Sequence, residues 1–157
     1  MQFRITLFLT FLLSLIWMTG FSQYSISDIP NPKTEGQQYF VSNPSGILSS
    51  STVAELDAIS QTIDEKTKCE YAIVMVDDYV GDDDFEFALE LFNTWGIGKK
   101  ESNNGLLLFI SEKRHEYRFI SGYGMESILT DAVLKRIGEE YLVPHFKQGN
   151  YNEGVLE

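Results

Sequence analysis

Cysteine is nearly absent: Cys69 is the one thiol in 157 residues. A single thiol forms no intramolecular disulfide and no Cys-based zinc site, so the fold must stand without either. Basic residues are also scarce. Twelve Lys and Arg stand against 23 Asp and Glu, a formal net charge of −11. This disfavours a nucleic-acid partner, which needs clustered cations on its phosphates. It equally disfavours attachment to anionic lipid through surface charge. The two histidines, His115 and His145, lie far apart and lack zinc spacing. There is no G-x-S-x-G elbow, no Walker loop and no G-x-G-x-x-G that opens a helix after a strand, so no nucleotide cofactor is expected. Apolar residues are not lacking. At 43% apolar and 13% aromatic, the chain can bury a core rather than remain disordered.

The first segment reads as an address. From Met1 to Ser22 the only charge is Arg4, and Ile5 to Met18 is an almost unbroken apolar run. That length suits a signal peptide better than a membrane span. Gly20 and Ser22 are small residues that place cleavage after Ser22; an uncleaved anchor is the alternative. Residues 23–38 hold Pro30, Pro32 and Gly36 and few apolar side chains, the composition of a linker. A domain is expected from residue 39 to residue 157 and beyond, and a membrane anchor is among the expectations past residue 157. Export into an oxidising compartment is the corresponding expectation for location, periplasmic or anchored facing outward.

Helix and strand alternate through that domain. Tyr39 to Val41 is a short extended piece. Ser49, Ser50 and Ser51 offer N-caps, and Val53, Leu56, Ile59 and Ile63 succeed them at helical spacing to about Lys68. Glu70 to Val76 is a β-branched apolar run without alternation, a strand covered on both faces. A second helix comes after the aspartates, with one stripe of Phe85, Ala88, Leu89 and Phe92 and another of Phe87, Leu91 and Trp95; Gly96 and Gly98 end it. Leu106 to Ile110 is a second covered strand. Glu116 to Ser121 is a third, joined by a short polar turn and therefore antiparallel. Thr130 caps a helix carrying Val133, Leu134, Ile137 and Tyr141, stopped near Pro144, and another helix begins after Asn150. The two covered strands joined by a helix imply parallel pairing with a right-handed crossover. The expected class is α/β: a three-layer α/β/α, Rossmann-like domain with a small mixed sheet.

Strand direction alone brings Trp95, Asn104, Tyr123 and Asp131 to one rim. Tyr123, between Gly122 and Gly124, can line a pocket floor, because glycines let backbone approach a ligand; a turn with a packed aromatic fits equally. Asp131 suits a metal ligand or general base, and equally a first-turn carboxylate complementing the helix dipole. Asn104 belongs to the same cofactor-facing group or, with Gly105, to a plain turn. At the opposite end, Asp77, Asp78, Asp82, Asp83 and Asp84 crowd one loop. Calcium favours such oxygens, and Asp78 is the metal candidate among them, although the spacing is not an EF-hand. A solvated helix N-terminus explains the same run.

Several motifs in order carry a resemblance. Trp95-Gly96-Ile97-Gly98, then Asn103-Asn104-Gly105-Leu106-Leu107-Leu108, then Gly122-Tyr123-Gly124-Met125-Glu126 and Leu129-Thr130-Asp131, then the run from Pro144 to Gly154, resemble the TPM domain family. The resemblance covers roughly residues 39–154. It implies an α/β/α domain on the extracytoplasmic side of a membrane. It also implies kinship with a plant thylakoid-lumen repair factor, a phosphatase label and, in some members, divalent-cation binding. One departure stands out. Where the family reads Val-x-Asp, this chain has Val41-Ser42-Asn43, which keeps an oxygen ligand but loses its charge.

Two functional expectations result. The first is an exported binding, assembly or repair module at the membrane with a protein partner, with a divalent cation such as calcium as the expected cofactor if there is one. The alternative is a metal-dependent acid phosphatase with Asp131 as catalytic residue and Asn43, Asp78 and Asp131 as metal ligands.

Overall fold

A computed structural model describes residues 23–98 and 102–157. The expected signal peptide, residues 1–22, lies outside the described residues. Strands β1 (Val41–Ser42), β2 (Glu70–Val76), β3 (Gly105–Ser111) and β4 (Glu116–Ser121) form one sheet in the order β1-β2-β3-β4. The first three are parallel and β4 is antiparallel to β3. Register pairs Glu70 with Gly105 and Val76 with Ser111, and Leu107 with Ile120 across the hairpin. Thus the mixed sheet expected from the sequence is present, with β1 an added parallel edge.

Helix α1 (Ser50–Thr67) begins at Ser49, whose hydroxyl accepts from the Thr52 N–H, and ends at Lys68 in the left-handed region. Helix α2 (Asp84–Trp95) is capped by Asp83 and stopped by Gly96, also left-handed. Glycine carries that conformation without the side-chain clash that Lys68 must tolerate. Helix α3 (Asp131–Ile137) starts at Thr130 and widens into a π turn, Gly138–Leu142, before α4 (Val143–Phe146). The expected stop at Pro144 is therefore corrected. The π turn shifts the hydrogen-bond register, so Pro144, which has no N–H, sits in the first turn of the next helical piece. Gly138 is needed at the start of that turn, because a Cβ there would collide with the Tyr117 ring. Helix α5 (Tyr151–Gly154) closes the described chain.

The layers arise from strand alternation. Ala72, Val74 and Val76 of β2 and Leu107 and Phe109 of β3 meet α2 through Phe87, Ala88, Leu91 and Trp95. Ile73, Met75, Leu108 and Ile110 face the other way, toward Leu56, Leu142 and Tyr151. Central strand residues are covered on both sides, as their unbroken apolar sequence implies. Of the two stripes on α2, the one with Phe87, Leu91 and Trp95 faces the sheet, joined by Ala88; Phe85 and Leu89 are exposed. Helix α1 buries Thr52, Leu56 and Ser60 rather than an all-apolar stripe, and Ile59 faces outward.

Residues 23–38 differ from the expected linker, because they pack on the α2 side of the domain. Tyr24 bridges Tyr79, with Tyr24 N–H donating to Asp78 O at 3.1 Å and Val80 N–H to Tyr24 O at 3.0 Å. Ile29 is buried in the α2 core, and the Ser42 hydroxyl donates to Pro30 O. Lys33 reaches the carbonyls of Trp95 and Gly96 and pairs with Glu70. A lysine at a helix C-terminus is favourable, since the last carbonyls lack intrahelical donors. Among the described residues no helix is long and apolar enough to cross a membrane.

Candidate functional site

The carboxyl ends of the parallel strands carry the charged loops. Open α/β sheets commonly bind ligands there. In this chain the groups are bonded to one another. Asp77 accepts from Lys113 Nζ at 2.8 Å and from the Ser45 hydroxyl at 3.0 Å. Asp78 Oδ1 accepts from Arg114 Nε at 2.7 Å and from the Tyr79 N–H at 2.9 Å, while its Oδ2 takes Gln23 Nε2. The rest of the Arg114 guanidinium donates to the carbonyls of Tyr79 and Gly81 and lies 3.8 Å above the Tyr79 ring centroid. Tyr79 is fully buried, and its hydroxyl donates to Glu116 at 2.8 Å. Burial and that carboxylate push the phenol up to about 12. Burial opposes ionisation of Asp77 and Asp78. The hydrogen bonds from Lys113 and Ser45 to the first, and from Arg114 and Gln23 to the second, outweigh it and hold both below the usual carboxylate range.

The remaining aspartates are also placed. Asp83 caps α2, and Asp84 takes Arg118 through two bonds, at 3.0 and 2.7 Å. Asp82 is exposed. Asn43 closes its own loop: its Oδ1 accepts from the N–H groups of Ile47 and Leu48, and its Nδ2 donates to Leu48 O. Thus it shapes the entry to α1. Of the residues expected to hold a metal, Asn43 and Asp78 lie at this end, whereas Asp131 begins α3. Among the described residues no three His, Cys, Asp or Glu side chains are grouped to hold a metal ion.

The amino end of the same strands is built from backbone. Gly122 N–H donates to Gly105 O at 2.8 Å, Gly124 N–H to Asn103 O at 3.3 Å, and Glu70 N–H to Asn104 O at 2.9 Å. A Cβ on Gly122 would strike Asn103 O, and one on Gly124 would strike Ser102 O and the Asn104 side chain. The two glycines therefore serve a close crossing of two chain segments. Strand direction correctly brings Asn104 to the Gly122–Gly124 segment. Trp95, in the helical stripe with Phe87 and Leu91, packs into the α2 core, as expected for a core residue. Asp131 lines a separate shallow cleft of about 500 Å³ with Phe85, Arg118 and Lys135, and Tyr123 is not among its lining residues. Tyr123 itself is 82% exposed, and Ile128 is 67% exposed. The residue that packs from this corner is Met125.

Behind the corner lies a feature that sequence reasoning missed. A cavity of about 360 Å³ opens between β2–β3–β4, the C-terminal turns of α1 and helix α3. Tyr71, Leu106, Met125, Ile128, Leu129 and Leu134 line it, among others, and no Lys or Arg does so among the described residues. Its sequence signal is the apolar set Met125, Ile128 and Leu129 directly after the glycine corner, which supplies one wall.

A model of the TPM domain matches residues 41–157. The solution NMR structure of the N-terminal domain of a protein from P. gingivalis is similar, with 33% identity over 85% of each chain and a TM-score of 0.78. The N-terminal domain of the cg2496 protein from Corynebacterium glutamicum shares the fold at 18% identity, with 85% of this chain and 81% of that one covered and a TM-score of 0.62. The BA42 protein from Bizionia argentinensis does so at 16% identity, covering 69% of this chain and 74% of that one, with a TM-score of 0.60. No curated protein matches the chain.

Proposed function

The chain belongs to the TPM domain family, and from that premise we propose that it is an exported binding module that engages a protein partner at the membrane through the amino end of its sheet. The observation that carries this reading is the contrast in how polar and apolar groups are used. Asp77, Asp78 and Asp84 of the acidic loop are tied to Lys113, Arg114 and Arg118, whereas Tyr123 and Ile128 stand exposed, Ile128 at the lining of an apolar cavity. Large exposed apolar residues that cluster are a mark of interaction surfaces. Location outside the cytoplasm is supported by Arg4 and the apolar run to Met18.

Metal-assisted phosphatase chemistry would require oxygens free to hold a cation and a base beside them. Asn43 and Asp78 have their oxygens in internal hydrogen bonds, and Asp131 lines a cleft that neither of them lines, with Arg118 and Lys135. The test pairs two measurements. A photoreactive residue at position 123, expressed in the native cell, should give a discrete protein adduct that the same residue at position 59 on α1 does not. Purified domain with calcium or magnesium should release no phosphate from p-nitrophenyl phosphate above a no-protein blank. Cation-dependent turnover abolished by Asp131→Asn would overturn the reading in favour of the enzyme.

A further inference from the structure

The cavity behind the glycine corner holds a polar group with no partner. Tyr71 lies on the β2 face that meets α1 and α3, and its ring lines the cavity with Leu106, Phe119 and Leu134. Tyr79, on the opposite side of the sheet, donates its hydroxyl to a carboxylate. The Tyr71 hydroxyl makes no hydrogen bond among the described residues, and burial alone pushes its pKa up. Tyr71 is half-buried and lines the cavity, so its hydroxyl is accessible from there and can donate to what enters. An unpaired hydroxyl in a largely apolar cavity is the arrangement of a ligand site. Such sites are mostly apolar, with a few polar groups that orient what enters. The volume, about 360 Å³, lies near the lower end of the range for small-molecule pockets, roughly 300–1,000 Å³.

The chemistry of the lining narrows the ligand. Among the described residues no cation lines the cavity, and Glu157 is the one charged residue that does. The whole chain is strongly acidic. An anionic headgroup would thus be brought beside a carboxylate with nothing to neutralise it. A neutral headgroup with an acceptor oxygen would take the Tyr71 proton without that penalty. The apolar walls fit a single hydrocarbon chain, and exposed Ile128 at the lining gives such a chain an apolar entry.

We propose that this cavity binds a neutral single-chain lipid, its hydrocarbon chain lying against Leu106, Met125 and Leu134 and an uncharged carbonyl or hydroxyl oxygen accepting a hydrogen bond from Tyr71. The proposal does not depend on the protein partner: a domain that cross-links from position 123 and takes up no lipid loses only this inference.

The test uses 1-monolauroylglycerol below its micelle concentration, with laurate as the anionic control, monitored by methyl and amide NMR shifts of the purified chain. Saturable shifts should centre on Leu106, Met125, Leu129 and Leu134. Laurate at pH 8 should bind at least about tenfold more weakly, from the cost of an unpaired charge. Tyr71→Phe, which keeps the ring, should weaken monolauroylglycerol about five- to tenfold, the loss of one hydrogen bond. Ile137→Trp, at a half-buried lining position, should abolish binding by filling the cavity; if that variant fails to fold, Tyr71→Phe still decides. Absence of saturable binding, tighter binding of laurate, or a Tyr71→Phe variant that binds as well as the parent would overturn the proposal.

Discussion

The two ends of the sheet are made in opposite ways. At the carboxyl end, charged side chains from two loops are joined into a clamp: Arg114 alone bonds Asp78, Tyr79 and Gly81 and stacks on the Tyr79 ring. At the amino end, the crossing of residues 102–105 with residues 122–124 is held by backbone bonds and glycines, with the Lys33–Glu70 pair at the start of β2, and Tyr123 is left to solvent. In this family member the end where α/β sheets usually place a ligand is used to hold the loops together with Gln23 and Tyr24 of the N-terminal segment. Ordered charge does not by itself mark a functional site. Carboxylates already bonded to an ammonium or a guanidinium, as Asp77 and Asp78 are, have little left to offer a ligand.

The contrast can be broken most forcefully at Tyr79. Its ring contacts Phe87 and Phe109, with centroids 4.8 and 5.4 Å away, and supports Arg114. Tyr79→Ala should cost about 4 kcal/mol of unfolding free energy, the range for truncating a buried aromatic, read from urea denaturation. Gly124→Ala acts at the other end. The added Cβ meets backbone oxygen and the Asn104 side chain, neither of which gives easily. A loss of about 2 kcal/mol, typical of overpacking, should appear in the same measurement, with the amide shifts of 102–105 moved and those of 77–81 unmoved.

Acid sharpens the comparison more gently. Asp77 and Asp78 titrate lower in the folded chain than in the unfolded one. Their contribution is fully present above the unfolded carboxylate range and is lost as pH falls through the folded values. Stability should therefore fall below about pH 4. Asp57, raised by burial despite the Phe40 and Val41 N–H bonds, contributes in the opposite sense and partly offsets the fall. Asp78→Asn should flatten the acid limb of the stability curve while leaving binding at the amino end unaffected; an unchanged slope would count against the clamp.

Much of the fold is legible in the sequence because covered parallel strands announce themselves. Glu70 to Val76 and Leu106 to Ile110 have no alternation, and the hairpin turn between Ser111 and Glu116 is short. The buried stripe of α2 is harder. Phe85 and Phe87 are chemically alike, and only the sheet's position decides that Phe87 goes inside. Residues 23–38 look like a linker because their anchors are the buried Ile29 and Pro32, Lys33 and backbone groups of Tyr24 and Pro30, which form no periodic pattern. The site was less legible for a stronger reason. A carboxylate's availability depends on what it is bonded to, and Lys113 and Arg114, which occupy Asp77 and Asp78, lie more than thirty residues away in sequence. The apolar cavity is assembled from β2, β3, β4, α1 and α3, so no local stretch displays it.

The most direct measurement joins both ends in one experiment. Photo-cross-linking yield in the native cell and thermal midpoint would be measured for two variants: Arg114→Ala, and Ile128→Ser with the photoreactive residue kept at position 123 in both. Arg114→Ala should lower the midpoint and, below it, leave the adduct intact. Ile128→Ser should leave the midpoint within about 2 °C, as for an exposed position, and remove most of the adduct. An adduct that survives Ile128→Ser but vanishes with Arg114→Ala while the domain remains folded would place the working surface at the charged end and contradict the account.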